Sequence, residues 1–254
     1  MNIVNSATTQ AKRLNKRTAY LLVFHGSRSP QYFSTVLQLG ELVRQHLKTL
    51  VEVAVLEFAK RSLAEEIVCF CRKAIVLDCQ KVKILPVFLS GGVHVREDIP
   101  QEIAVAKENL CDGISIELAD YVGSFSELTT IIQGKFSQAE GRILLAHGSR
   151  LPGGNKHIEQ IAHSTKAISA YWTREPSLES AVEMLVKANK TSIAIVPYFL
   201  FFGKITQEIA SYTTQLRLKY PQQNFYLAQP LGATPELAEA IASIAAKEPA
   251  ASLD

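Results

Sequence analysis

YLLVFHGSRSP, residues 20–30, and ILLAHGSRLP, residues 143–152, decide how this chain is built. Each runs an apolar stretch of strand length into the same His-Gly-Ser-Arg turn, which sets His25 opposite His147 at an offset of 122 residues. Two more matches follow in the same order. RSLAEEIV at 61–68 returns as PSLESAVE at 176–183, an offset of 115, and LPVFLSGGV at 85–93 returns as VPYFLFFGK at 196–204, an offset of 111. A falling offset is what loops shortening between two copies of one fold produce, so the chain contains itself twice.

Within the first copy, apolar runs at 19–24, 51–57, 82–88 and 114–118 alternate with amphipathic runs of helical period at 32–47, 63–77 and 99–110. Strands that alternate with helices predict an α/β fold, here two similar domains that are each a parallel β-sheet flanked by helices. Ser62 with Glu65 three residues on forms a capping box for the second helix, and Asp98 with Pro100 is suited to open the third. The polar stretch SQAEGR at 137–142 is the natural linker. The expected domains are therefore 18–136 and 143–254, preceded by a basic flexible tail at 1–17.

The composition supports a packed core: of 254 residues 47% are hydrophobic and 20% charged, with a mean hydropathy of +0.08. Disorder and fibrous repeats are excluded on those values. The net charge of +3 arises from 27 Lys and Arg against 24 Asp and Glu. Lys12, Arg13, Lys16 and Arg17 lie in the tail, which has no acid, so the rest of the chain carries 23 basic against 24 acidic residues. A body that is electrically balanced argues against nucleic acid as a partner. No segment approaches the roughly 20 apolar residues of a membrane span, and the N-terminus has no apolar leader core, so a cytoplasmic location is expected. Cys69, Cys71, Cys79 and Cys111 form no CxxC pair and read as buried reduced thiols rather than as metal ligands.

Comparison of the copies points to the chemistry. In an open parallel sheet His25 and His147 stand at the carboxyl ends of strands, where ligand crevices form. His94 follows the third strand of the first copy in the same way, and its counterpart in the second is Ile205. Counting back five residues from Ser62 reaches Glu57; from Ser177 it reaches Trp172, so a carboxylate has become an indole. The first copy alone can gather His25, Glu57 and His94 at the ends of three strands. Two imidazoles and a carboxylate are the parts of a divalent metal site or of an acid–base site. Taken singly each residue also fits a structural role, and Gly91 and Gly92 also fit a simple left-handed turn. The joint loss of two of the three in one copy favours a shared function. A histidine phosphatase would need Arg where Phe24 stands, and no G-x-S-x-G elbow of an α/β-hydrolase occurs.

HGSRSP after the first strand, LEFAKRSLAEEI at 56–67 and LPVFLSGGVHVREDIP at 85–100 resemble the class II chelatases that act on sirohydrochlorin, in their long, two-domain form. The resemblance implies an active cleft between the two domains and a lyase that inserts a divalent metal with release of two protons. It gives His25, His94 and Glu57 both the catalytic and the metal-handling roles. The metal is then a substrate, Fe²⁺ for sirohaem being favoured and Co²⁺ for the cobalamin pathway the alternative, and no cofactor is permanently bound. Sirohydrochlorin carries eight carboxylates, for which Arg28 and Arg96 are the expected contacts, with Ser27, Gly91 and Gly92 lining the same place. One departure stands out: the family's Glu-Pro-Ser-Leu is Lys60-Arg61-Ser62-Leu63 in the first copy, whereas the second keeps Glu175-Pro176-Ser177-Leu178. The protein is expected to act as a monomer. The reading from another class is a noncatalytic tetrapyrrole- or metal-binding protein.

Overall fold

The computed structural model describes residues 18–110, 113–136 and 138–247. The basic tail and Cys111 of the sequence reading lie outside the described residues. Two four-stranded parallel sheets are present. The first consists of β1 (Thr18–Phe24), β2 (Val51–Val55), β3 (Lys81–Pro86) and β4 (Ser115–Leu118) in the order β2-β1-β3-β4, with helices α1 (Pro30–Leu47), α2 (Leu63–Val76) and α3 (Ile99–Glu108) in the connections. α4 (Glu127–Lys135) follows. The second sheet repeats the order as β6-β5-β7-β8, from β5 (Gly141–Ala146), β6 (Ile168–Tyr171), β7 (Ser192–Pro197) and β8 (Asn224–Leu227). Its connections hold α5 (Lys156–Ser164), α6 (Leu178–Lys187) and α7 (Lys204–Lys219), and α8 (Pro235–Ala246) closes the described chain.

The strands read as near-continuous apolar runs because both faces of a parallel sheet are covered. β1 is buried from Ala19 to Phe24, and Leu21, Val23, Ile67, Phe70, Ile84 and Ile99 share one core. The capping box forms as the sequence predicts: Glu65 N donates to Ser62 Oγ at 3.2 Å and Ser62 N donates to Glu65 Oε2 at 2.9 Å. Ala64 N also donates to Glu102 Oε2 of α3 at 2.7 Å, so the amino end of α2 is held by a carboxylate, the sign its dipole favours. Cys71 and Cys79 are buried free thiols, and burial pushes the Cys71 thiol up to about 11.

The compact units divide differently from the expected domains. Their boundaries fall between Val122 and Gly123 and between Gly232 and Ala233, so α4 belongs to the second unit and α8 to the first. The last helix of each half has changed places. α8 packs along α1, and Lys83, a residue only 6% exposed, donates through its ammonium to the Lys247 carbonyl at the end of α8. Glu117 pairs with that ammonium at 3.1 Å and with Lys81 at 3.0 Å, which supplies the partner a buried charge needs. In the second unit Lys135, on α4, donates to the Gln229 and Pro230 carbonyls. The apolar pattern of each helix was visible in the sequence, but amphipathicity does not say which sheet a helix covers. Among the described residues no helix is long and apolar enough to cross a membrane.

Candidate metal centre

The register of the first sheet brings three strand ends level. Phe24 pairs with Val55, and Val23 pairs with Pro86, so the chain leaves β1, β2 and β3 at one edge. Backbone bonding continues past the strands: Leu56 N donates to Phe24 O at 2.9 Å and Glu57 N to His25 O at 2.8 Å. This close approach needs Gly26, whose φ is +102° and where a Cβ would lie 2.1 Å from the Glu57 carbonyl oxygen. The glycine of the His-Gly-Ser-Arg turn thus lets the β1 loop lie against the backbone that carries Glu57.

His25, Glu57 and His94 come together as the sequence comparison expects. Each offers a ligand atom, all within 4.8 Å of one another, and this is the one such grouping of three among the described residues. The imidazoles meet edge to face with centroids 4.7 Å apart, and His94 Nε2 lies 3.9 Å from Glu57 Oε1. Two atoms each about 2.1 Å from one ion can stand at most about 4.2 Å apart, so shifts below about 1 Å complete a three-ligand set. Phe88, packed against the core, has its ring 6.3 Å from each imidazole and forms an apolar floor. His25 is exposed and the other two are half-buried, so the group of three is open to solvent on one side.

A fourth residue belongs to the centre and the sequence reading missed its role. Asp98 was expected to open the third helix, but helical backbone already begins at His94 as a single π-type turn, His94–Asp98, and Asp98 makes no side-chain cap bond. Its Oδ2 instead lies 2.6 Å from His94 Nδ1. An Nδ1–H that donates to this carboxylate fixes the ring and leaves Nε2 as the ligand atom facing Glu57, the usual arrangement behind a metal-binding histidine. In the same sense an Nδ1–H of His25 donates to the Gly26 carbonyl at 3.2 Å. The signal for Asp98 was its spacing of four from His94, readable only once that segment is known to be helical.

Of the expected substrate-contact residues, Ser27, Arg28 and Arg96 are exposed, while Gly91 and Gly92 are half-buried. The left-handed turn suggested for the glycine pair is not found, since the positive-φ glycines are elsewhere. Gly91 instead admits the Tyr121 ring, 3.0 Å from where its Cβ would be, and a Cβ at Gly92 would point into open space.

In the second unit His147 holds the strand-end position of His25. The proposed counterpart of Glu57 needs correction: Trp172 N bonds to Ala146 O and Thr173 N to His147 O, so Thr173 matches Glu57 and Trp172 matches Leu56. Like Leu56, Trp172 packs against its core. Counting back from Ser177 failed because this loop, which contains the cis Glu175–Pro176 bond, is one residue shorter. The carboxylate is lost all the same. Ile205 takes the place of His94, and Ile209, fully buried, takes that of Asp98.

The chain is similar to a sirohydrochlorin ferrochelatase of Priestia megaterium, 24% identical over 243 residues that cover 87% of this chain and 88% of that protein. It is equally similar to a sirohydrochlorin cobaltochelatase of the same organism, 24% identical over 241 residues covering 85% and 75%. A sirohydrochlorin cobaltochelatase of Methanocaldococcus jannaschii is 32% identical over 92 residues, 36% of this chain and 62% of that protein's length. Among solved structures, SirB from Bacillus subtilis with Fe³⁺ shares the fold, with a TM-score of 0.75 at 21% identity over 89% of this chain and 93% of that one. Residues 19–139 and 141–248 each match the CbiX family, one match for each half of the duplication, and the chain therefore belongs to that family.

Proposed function

We propose that this protein inserts a divalent metal into sirohydrochlorin with release of two protons, Fe²⁺ being the expected metal and Co²⁺ the alternative. The observation that carries the reading is the open three-ligand set of His25, Glu57 and His94 with His94 oriented by Asp98. A set of two imidazoles and one carboxylate leaves positions free, so the ion can be held and then handed on, unlike a closed structural site. Insertion requires two pyrrole N–H protons to leave as the metal enters. A neutral imidazole can accept a proton near neutral pH, and His25, the exposed member, takes one of the two through Nε2 once that nitrogen has released the ion, the other passing to solvent. Glu57 neutralises part of the ion's charge until the macrocycle, having lost its two protons, supplies its own. Because the body of the chain is electrically balanced, recruitment of an octacarboxylate falls to local cations, for which exposed Arg28 and Arg96 serve, with Ser27, Gly91 and the open space beside Gly92 completing the contact.

The test is anaerobic visible spectroscopy of sirohydrochlorin with enzyme and either Fe²⁺ or Co²⁺, corrected for the spontaneous rate. His25→Ala and His94→Ala are expected to abolish insertion, and His147→Ala to retain most of it. Equal loss at His147 contradicts a single site in the first unit. A rate no higher than background with any metal, together with tight binding, favours the noncatalytic carrier. The relative rates with the two metals decide between ferrochelatase and cobaltochelatase, which the equal identities to the two Priestia proteins leave undecided.

A further inference from the structure

Five non-glycine residues among those described have positive φ: Lys48, Phe58, Asp78, Lys166 and Asn189. Four of them stand where a helix ends. Lys48 caps α1, and Asp78, Lys166 and Asn189 each lie one residue past the cap of α2, α5 and α6. Such left-handed caps are a common way to end a helix, and all four side chains are polar. Phe58, at φ +61°, is the exception. It lies between β2 and α2, where no helix ends, and it immediately follows Glu57. A bulky aromatic in this region is strained, and backbone strain that persists tends to mark a functional site.

Burial does not explain the conformation, because Phe58 is 55% exposed. Its visible partner is Arg28, whose guanidinium carbon lies over the ring, 5.1 Å from the centroid. Arg28 follows His25 by three residues, so the contact joins the loop carrying one metal ligand to the loop carrying another. The second unit has no such arrangement. There Thr173 is followed by Arg174, which lies over the Tyr171 ring at 5.8 Å, donates to the Ser149 carbonyl and is not among the positive-φ residues. Among the described residues the strained, exposed aromatic occurs only in the copy that keeps His25, Glu57 and His94.

We infer that Phe58 is a binding residue for the tetrapyrrole: its ring packs on the flat apolar face of the macrocycle while Arg28, held on that ring, grips a peripheral carboxylate. This rests on the chelatase reading above. A phenyl ring bearing a guanidinium matches a ligand that is apolar in its plane and anionic at its rim. The strained turn sets the ring outward beside Glu57 rather than into the core, where the face of a bound macrocycle can rest on it.

Two substitutions separate the ring from the turn. Phe58→Asn removes the ring and keeps a residue that tolerates positive φ, whereas Phe58→Tyr keeps the ring. Sirohydrochlorin binding is followed anaerobically by its visible absorbance, Co²⁺ binding is titrated without the tetrapyrrole, and kcat and KM are measured separately. Phe58→Asn is expected to weaken tetrapyrrole binding and raise KM about tenfold, the scale of one lost aromatic contact, with kcat within about twofold and Co²⁺ affinity unchanged. Phe58→Tyr is expected to match the wild type. If Phe58→Asn binds sirohydrochlorin as well as a wild type that does insert metal, this inference fails and the proposed function stands. If Phe58→Asn loses Co²⁺ affinity, the turn serves Glu57 and the inference also fails. A wild type that neither binds nor metallates sirohydrochlorin overturns both.

Discussion

Replacing Asp98 tests whether the centre works as a metal site built on an oriented imidazole. The His94 Nδ1–Asp98 Oδ2 distance of 2.6 Å is that of a short, charge-assisted hydrogen bond. Loss of such an outer partner costs about 10- to 100-fold in metal affinity, or about 1.4–2.7 kcal/mol. Solvent moves the expectation to the lower end, because the Asp98 side chain is 41% exposed and that of His94 34%. Asp98→Ala should therefore weaken Co²⁺ binding about tenfold. Asp98→Asn keeps an acceptor oxygen but not the charge, which halves the free energy and gives about a threefold effect. Isothermal titration of the apoprotein with Co²⁺ measures both. Asp98 makes no cap bond to α3, so thermal unfolding of either variant should stay within about 2 °C of wild type. Co²⁺ binding by Asp98→Ala that is unchanged within twofold would refute the orienting role; so would an Asp98→Asn defect as large as that of Ala.

Gly26→Ala places a methyl where the Glu57 carbonyl oxygen lies 2.1 Å away and imposes a side chain at φ +102°. The backbone under Glu57 must move by about 1 Å, and we expect a loss of about 2 kcal/mol in a denaturant melt with a fall in insertion rate of about 100-fold. Cys71, with its thiol pushed up to about 11, has only about one molecule in a thousand ionised at pH 8. Iodoacetamide followed by peptide mapping should leave Cys71 unmodified in the native protein and label it in denaturant; labelling at the rate of a free thiol would contradict its burial. In the second unit, Thr173→Glu with Ile205→His beside the native His147 should add a second, weak Co²⁺ equivalent. Trp172→Glu with Ile205→His should not, since Trp172 packs against the core; the opposite outcome would restore the register counted from Ser177.

The parallel sheets, the strand-end positions and the gathering of His25, Glu57 and His94 were legible because they depend on local signals: apolar runs, a capping box and the repeated His-Gly-Ser-Arg turn. Three features were not legible, each for its own physical reason. The exchange of α4 and α8 between units is a choice among apolar surfaces, and an alanine-rich helix such as α8 suits many of them. Asp98 was misread because Asp before a proline near a helix start suits a cap; the π-type turn that begins at His94 moves its carboxylate onto the imidazole instead. The counterpart of Glu57 was misplaced by one residue because the loop that follows it shortens in the second copy. Sequence counting cannot locate such a deletion, whereas the bonds Glu57 N to His25 O and Thr173 N to His147 O do so directly.

The corrected register strengthens the argument from duplication. With Trp172 as the counterpart of Glu57, the second copy would have gained a large aromatic at the strand end, and its loss of chemistry could have followed from a new binding surface. With Thr173 there instead, the change is a simple removal of charge. The fate of Asp98 is more telling. Its counterpart Ile209 is fully buried, so once no imidazole stands at 205 the position that oriented it has become core. A carboxylate retained for helix capping or solubility would have had no cause to disappear with a histidine four residues away. Glu57, His94 and Asp98 are lost as a set, whereas the strand order, the α2-type cap and the glycine of the first turn survive in both copies. The second unit thus keeps what folding requires and lacks the residues on which the proposed metal site depends. On the proposed function, that partition groups Asp98 with His94 and Glu57 rather than with the residues the fold needs.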